Sequence, residues 1–286
     1  MSSLQNAREA PLWLDSFDES LHGRKPLDGP MSVDVAIIGG GYSGLWTAYY
    51  LLENDPSLRV LIIEKEFCGY GASGRNGGWC EGALAGGTEK YAKRSTMGEA
   101  LRLERTMFET VDEIQRVLDS EDINCDFHKG GFVSVARNLP QAQRQRSAVE
   151  LARERGTGEE IIRILDADEA RAHVNATNVH SGIFFAPSAV VDPGKMVRGL
   201  AKAIERKGGT IVEGTTALSI STGKVVCVEG VVSADVIVQA TEGYTRDIKG
   251  KKLDLLPVYS RMIATEPLTD SQISEIGLAD RPTFND

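Results

Sequence analysis

Apolar positions along this chain change period several times, and each change marks an element. Residues 33–38 read Val-Asp-Val-Ala-Ile-Ile, a β-branched run with no turn former inside it, which predicts a buried strand. The period then lengthens. Leu45, Ala48, Tyr49, Leu51 and Leu52 recur at helical spacing, and Asn54, Asp55 and Pro56 end that helix. Val60, Leu61, Ile62 and Ile63 predict a second buried strand. Over residues 88–118, Met97, Leu101, Met107, Val111, Ile114 and Leu118 return to helical spacing. The charged residues between them, Glu104 and Arg105 included, form a solvated face.

Further on the elements shorten. Residues 130–136 read as a glycine turn into a strand, and residues 141–155 as a polar helix. Asp166 followed by Glu169 has the spacing of a helix-capping box. Asp192-Pro193 opens another helix, with Val197, Leu200, Ala201 and Ile204 as its apolar face and Gly208-Gly209 as its stop. Strands are expected at 210–213, 225–228, 231–232 and 234–240. Residues 256–267 alternate as a strand does, with Tyr259 and Arg261 on its polar side; Arg261 has the chemistry to grip a carboxylate with two prongs. Residues 1–30 keep no steady period, and Trp13, Leu14 and Phe17 are the residues expected to pin them to the body.

The turn between the first strand and first helix carries the strongest chemical signal. Gly39, Gly41 and Gly44 fit G-x-G-x-x-G. The first glycine allows the tight turn, the second lets backbone approach a pyrophosphate, and the third lets the helix pack close to the sheet. The helix N-terminus then offers free N–H groups and positive potential to the phosphates. A glycine turn in an unrelated α/β protein is the competing reading. The flanking strand, helix and second strand speak against it, as does Glu64, an acid at the second strand's end placed to accept ribose hydroxyls. Residues 68–78, Cys-Gly-Tyr-Gly-Ala-Ser-Gly-Arg-Asn-Gly-Gly, then place five glycines beside the donors Ser73, Arg75 and Asn76. Such a loop brings many backbone N–H groups to one anion. An NAD domain has no obvious need of it here.

Three stretches together resemble the D-amino-acid-oxidase-type FAD-dependent oxidoreductases, and within them most of all the γ-glutamylputrescine oxidase branch. They are Val35-Ala36-Ile37-Ile38-Gly39-Gly40-Gly41-Tyr42-Ser43-Gly44, Ile63-Glu64-Lys65, and Gly71-Ala72-Ser73-Gly74-Arg75-Asn76-Gly77-Gly78. The resemblance implies an α/β fold: a Rossmann-type FAD-binding domain over residues 1–86 and 190–246, with an inserted α+β substrate domain over 87–189 and 247–286. It implies cofactor contacts at Gly39, Gly41, Tyr42, Ser43, Gly44, Glu64, Lys65, Ser73, Arg75, Asn76, Gly77 and Gly78. It adds Ala217 beside Thr216 on the adenine side, and Ala240, Thr241 and Gly243 after the last nucleotide-side strand. Glu242 is a less familiar residue at its place in that stretch.

The implied reaction is oxidation of a C–N bond in an amine or amino acid by hydride transfer to FAD, with O2 or another acceptor taking the electrons. Family members run on by roughly a hundred residues, so the substrate domain is expected to be C-terminally truncated. A flavin-fold fragment or subunit that binds without turnover is the alternative reading. An incomplete sheet would expose an edge and apolar surface.

Bulk properties narrow the partners. The chain has 286 residues, 41% hydrophobic and 26% charged, enough for a real core. Its net charge of −9 repels nucleic acid and anionic lipid. No signal peptide or membrane-spanning run is visible, so a cytoplasmic location is expected. Cys68, Cys80, Cys125 and Cys227 match no zinc spacing and read as free thiols, Cys80 being of interest for its place near the glycine loop. His128, His173 and His180 are isolated in sequence, and no acid–base pair stands out. An amine that arrives neutral requires none.

Overall fold

The computed structural model describes residues 11–16, 23–258 and 260–286. The chain divides into two compact units. The first comprises Met1–Gly77, Glu121–Cys125 and Asp192–Ile263; the second comprises Gly78–Ser120, Asp126–Val191 and Ala264–Asp286. In chain order, β1 (Met31–Ile38), α1 (Tyr42–Asn54) and β2 (Val60–Ile63) open the first unit. The second unit takes β3 (Trp79–Glu81), α2 (Thr88–Ala92), α3 (Met97–Ser120), β4 (Phe132–Ala136) and α4 (Leu139–Glu154). It continues through β5 (Ile162–Leu165), α5 (Ala167–His173), β6 (Ser181–Phe185) and β7 (Ser188–Val190). The first unit resumes with α6 (Pro193–Arg206), β8 (Thr210–Val212), β9 (Ala217–Ser221), β10 (Lys224–Cys227) and β11 (Val231–Gln239). Finally α7 (Asp270–Ile276) and β12 (Thr283–Asn285) return to the second.

The first unit is built on a six-stranded sheet in the order β8-β2-β1-β11-β10-β9. β8, β2, β1 and β11 run parallel, and β10 and β9 add an antiparallel edge. The apolar run in β2 is explained by burial: all four of its residues are inside. One face of the sheet gathers Val33, Ala36, Ile38, Leu61, Ile63 and Val232 into a core cluster. α1 buries Leu45, Ala48, Tyr49 and Leu52 of the positions its periodicity marked and leaves Leu51 half-buried, and α6 buries Val197, Leu200, Ala201 and Ile204 as marked. The side chain of Asp192 accepts the N–H groups of Gly194 and Lys195, so the expected cap of α6 is formed. The short N-terminal 3-10 helix Leu12–Ser16 is tied to the same unit by Trp13, whose Nε1 donates to the Asn76 carbonyl at 2.8 Å. Phe17 lies outside the described residues.

In the second unit, a four-stranded sheet runs in the order β12-β4-β6-β5. Val133, Val135 and Leu165 pack with Ala170 and Val174 of the α5 region. The capping box predicted at Asp166 and Glu169 is present at the start of α5. β3 and β7 form a separate two-stranded ladder.

Three readings of the pattern need correction. The helical period over 88–118 is two helices, because the Thr96 hydroxyl accepts the Glu99 N–H and starts α3 afresh. The runs at 231–232 and 234–240 are one strand, β11, whose seven-residue register with β1 holds it continuous. Residues 256–267 form no strand. No described strand pairs with them, and Leu256, Val258 and Ile263 stand 84%, 87% and 89% exposed. Arg261 is exposed too, and Tyr259 lies outside the described residues.

Candidate dinucleotide cleft

Parallel strands put their carboxyl ends on one edge of a sheet, and loops leaving that edge make a natural ligand site. Here Ile38 of β1 is in register with Ile63 of β2 on one side and with Gln239 of β11 on the other. The chain therefore leaves the sheet at Gly39, Glu64 and Ala240 side by side. Between these loops lies a cleft of about 380 Å³, within the range of cofactor sites.

The glycines are required by sterics. Gly39 has φ +110°, and a Cβ there would sit 2.3 Å from the Ala240 carbonyl oxygen. A Cβ on Gly44 would sit 2.1 Å from the Gly39 oxygen and also against Ile37, so this glycine serves the packing of α1. Gly41 caps α1 with no side-chain bond of its own. Its missing Cβ leaves room for Ser73, whose Oγ accepts the Tyr42 N–H at 2.9 Å. The Tyr42 hydroxyl donates to the Pro193 carbonyl at 3.0 Å and ties α1 to the start of α6.

Glu64 is oriented by backbone. Its Oε2 accepts the Gly40 N–H at 2.7 Å and its Oε1 the Glu66 N–H at 2.9 Å. Burial pushes the Glu64 carboxyl above its ordinary value; those two backbone bonds pull the other way, and the charges of Glu213 and Glu66 add to the rise. The glycine-rich loop is held by its own side chains. Asn76 Nδ2 donates to the carbonyls of Ala72 and Ser73 at 3.2 and 3.0 Å. The Arg75 guanidinium lies 4.5 Å from the Tyr70 ring centre and donates to the Tyr70 carbonyl.

Of the residues singled out in the sequence, Gly39, Gly41, Tyr42, Ser43, Glu64, Lys65, Ser73, Ala217, Ala240 and Thr241 line the cleft. Gly44, Arg75, Asn76, Gly77, Gly78 and Gly243 do not. Four of them have structural neighbours of their own. Gly44 makes helix packing possible, Arg75 and Asn76 brace the loop, and Gly78 accepts the Val191 N–H in the second unit. The sequence reading missed a wall made by the 3-10 helix Glu242–Asp247 and the residues after it, including Tyr244, Ile248 and Lys249. No local motif marks this wall; the Lys249 N–H to Leu218 carbonyl bond, 3.3 Å, brings it over β9. The conformation of Glu242, φ +41°, carried a faint signal, since asparagine or glycine is the usual choice there.

This cradle fits a dinucleotide. A helix N-terminus without an acidic residue in its first turn faces the cleft and suits a pyrophosphate. Glycine backbone without Cβ atoms permits close approach, and an oriented carboxylate suits ribose hydroxyls. All four cysteines are free, and burial pushes the Cys80 thiol up to about 11, so it is not a thiolate near neutrality.

Comparison with known proteins agrees with this geometry. Residues 34–286 match the family described as FAD dependent oxidoreductase, DAO. A probable oxidoreductase OrdL of Haemophilus influenzae is 31% identical over 260 residues, covering 86% of this chain and 58% of that protein. The gamma-glutamylputrescine oxidoreductase of Escherichia coli is 29% identical over 251 residues, covering 85% and 57%. The chain thus spans less than three fifths of these relatives' length. Among solved structures, an L-amino acid deaminase from Proteus myxofaciens superposes with a TM-score of 0.64 at 22% identity, over 82% of this chain and 50% of that one. A glycine oxidase from Bacillus cereus does so with 0.56 at 20%, over 73% and 55%. These likenesses establish the fold. Cleft, glycine turn and family match together place this chain in the DAO family of FAD-dependent oxidoreductases.

Proposed function

We propose that the cleft holds FAD and that the chain forms part of an oxidoreductase acting on a C–N bond of an amine or amino acid. The observation that carries this reading is the meeting of Gly39–Gly41, Glu64, Ser73 and Ala240 at one edge of a parallel sheet. The names of its relatives support the substrate class: a gamma-glutamylputrescine oxidoreductase, an L-amino acid deaminase and a glycine oxidase. The first unit is read as the FAD-binding domain and the second as part of the substrate domain.

When bound, FAD supplies a two-electron acceptor for the hydride on the carbon beside the nitrogen. The chain's own residues hold and orient. The N–H groups of the first turn of α1 would hold the phosphates, Glu64 would accept from the ribose, and the 65–66 and 215–218 backbone would lie on the adenine side. O2 or another acceptor would take the electrons. Simple amines, N-methyl amino acids and amino acids all fit this chemistry.

A second reading, a flavin-binding unit without turnover, is favoured by one observation. Leu253, Leu256, Val258 and Ile263 are apolar and highly exposed in the first unit. Absorbance of the purified chain, taken anaerobically before and after a panel of amines, separates the two. Flavin bands that bleach with one amine support the enzyme. Bands that persist support the binding unit, and a protein that takes up no FAD removes both.

A further inference from the structure

Behind the ribose carboxylate lies a buried charge cluster that the cofactor reading does not use. Glu213 directly follows β8 and is 2% exposed. Its Oε1 accepts the Cys68 N–H at 2.9 Å and Arg24 Nη1 at 2.9 Å. Its Oε2 is buried with no hydrogen-bond partner among the described residues. Arg24 also grips Glu205 of α6 through Nε and Nη2, at 2.7 and 2.8 Å. A guanidinium that makes these three bonds is planar and rigid, so it sets the spacing of what it joins.

What it joins is the far end of the cleft. Next to Cys68, the Gly69 N–H donates to the Gly40 carbonyl at 3.0 Å, so Glu213 reaches the glycine turn through one short run of backbone. Three residues after Arg24, the Leu27 N–H donates to Thr215 Oγ1 at 2.9 Å, and Thr215 lines the cleft. The loops after β2 and β8 are themselves laced together by Thr215 N–H to Glu64 carbonyl and Gly214 N–H to Glu66 carbonyl. Residues 24–27 therefore fasten the loop after β8 directly and the loop after β2 through Glu213.

We propose that Arg24 and Glu213 are positioning residues for the adenosine end of the cofactor. The pair fixes the 64–69 and 213–216 loops, and Arg24 neutralises a buried carboxylate that would otherwise repel an ionised Glu64. This rests on the reading of the cleft as an FAD site. A carboxylate left buried without its counter-charge is costly, whereas removing both charges together is tolerated.

The test compares the intact chain with R24M, E213Q and R24M/E213Q. Amide exchange of the 64–69 and 213–216 segments is measured without flavin, and FAD affinity is measured by flavin fluorescence. R24M is expected to speed exchange in both segments and to weaken FAD about tenfold. R24M/E213Q is expected to recover part of both effects, binding within about threefold of the unaltered chain, because glutamine keeps the acceptor for Cys68 without the charge while the loops still lack the Arg24 bonds. Unchanged exchange or affinity in R24M overturns the proposal, as do losses in the double variant that equal or exceed those in R24M. If R24M does not fold, a folded double variant upholds charge compensation and an unfolded one overturns it. An unaltered chain that takes up no FAD sinks the site reading and this proposal together, a result distinct from all the others.

Discussion

Ser73 accepts the backbone N–H of Tyr42 at 2.9 Å, so the first turn of α1 is capped by a residue 31 positions further along the chain. The local cap position, Gly41, contributes nothing through a side chain. A Cβ at Gly41 would lie 2.9 Å from Ser73 Oγ, so a serine cannot stand at both places. S73A is expected to cost about 1 kcal/mol, the usual worth of a helix cap. G41S alone destabilises by collision, whereas G41S in the S73A background recovers part of the loss by capping locally. Thermal denaturation of the three variants checks this order. FAD affinity should stay low in both G41S chains, since the backbone there is no longer open to a phosphate.

Glu64 links cofactor binding to pH. Its folded value lies above the ordinary 4.5, chiefly through burial. Ionising it therefore costs the flavin-free fold: its contribution is fully present below the ordinary carboxyl range and is lost as pH rises through the raised value. Binding has the opposite sign, because ribose hydroxyls need an ionised acceptor. FAD affinity is expected to be flat near neutrality and to fall on acidification with a midpoint above 4.5. In E64Q it should be weaker and lose that midpoint. Affinity titrations across pH in both chains decide the matter.

Glycines of equal frequency in sequence should differ sharply in cost. G39A and G44A each drive a Cβ to within 2.3 Å or less of a carbonyl oxygen. Backbone must move in both, and a loss of roughly 4 kcal/mol or more is expected. Gly214 also has positive φ, +64°, but a Cβ there meets nothing within 4 Å. G214A should cost only about 1 kcal/mol, the backbone penalty alone. Urea midpoints for the three variants test the separation.

Glu242 holds φ +41° on the cleft wall, and its carboxylate accepts the Gly243 N–H. E242G is expected to stabilise the chain by roughly 0.5–1 kcal/mol by relieving that conformation. It also removes a negative charge from a site for an anionic cofactor, so FAD should bind more tightly at low salt and less distinguishably at high salt. A stability gain without a salt-dependent affinity gain would place the carboxylate too far from the phosphates to matter.

The legible parts of this fold were those with local causes. β1, α1 and β2 announce themselves because a buried strand needs an unbroken apolar run and a covering helix needs a 3.6-residue stripe. Asp166 and Asp192 show as caps because capping is a contact between near neighbours. The wall of Tyr244, Ile248 and Lys249 was not legible, since its place depends on the Lys249–Leu218 bond and on no pattern of its own. The same holds for Ser73 as the cap of α1. Arg75 and Asn76 stand out in the sequence as donors, and the loop contacts they make in the fold, to Tyr70, Ala72 and Ser73, carry no sequence signal of their own.

β1 takes β2 as one neighbour and, as the other, a strand roughly 200 residues downstream. During synthesis the glycine turn leaves the ribosome long before β11 exists to complete the edge it opens on. At about 5–20 residues per second, that interval lasts on the order of ten seconds or more, with one hydrogen-bonding edge of β1 unpaired. Free flavin cannot rescue it early, because the last wall of the cleft, within residues 242–249, is made only after β11. Flavin supply should therefore govern how much finished protein survives rather than how fast it folds.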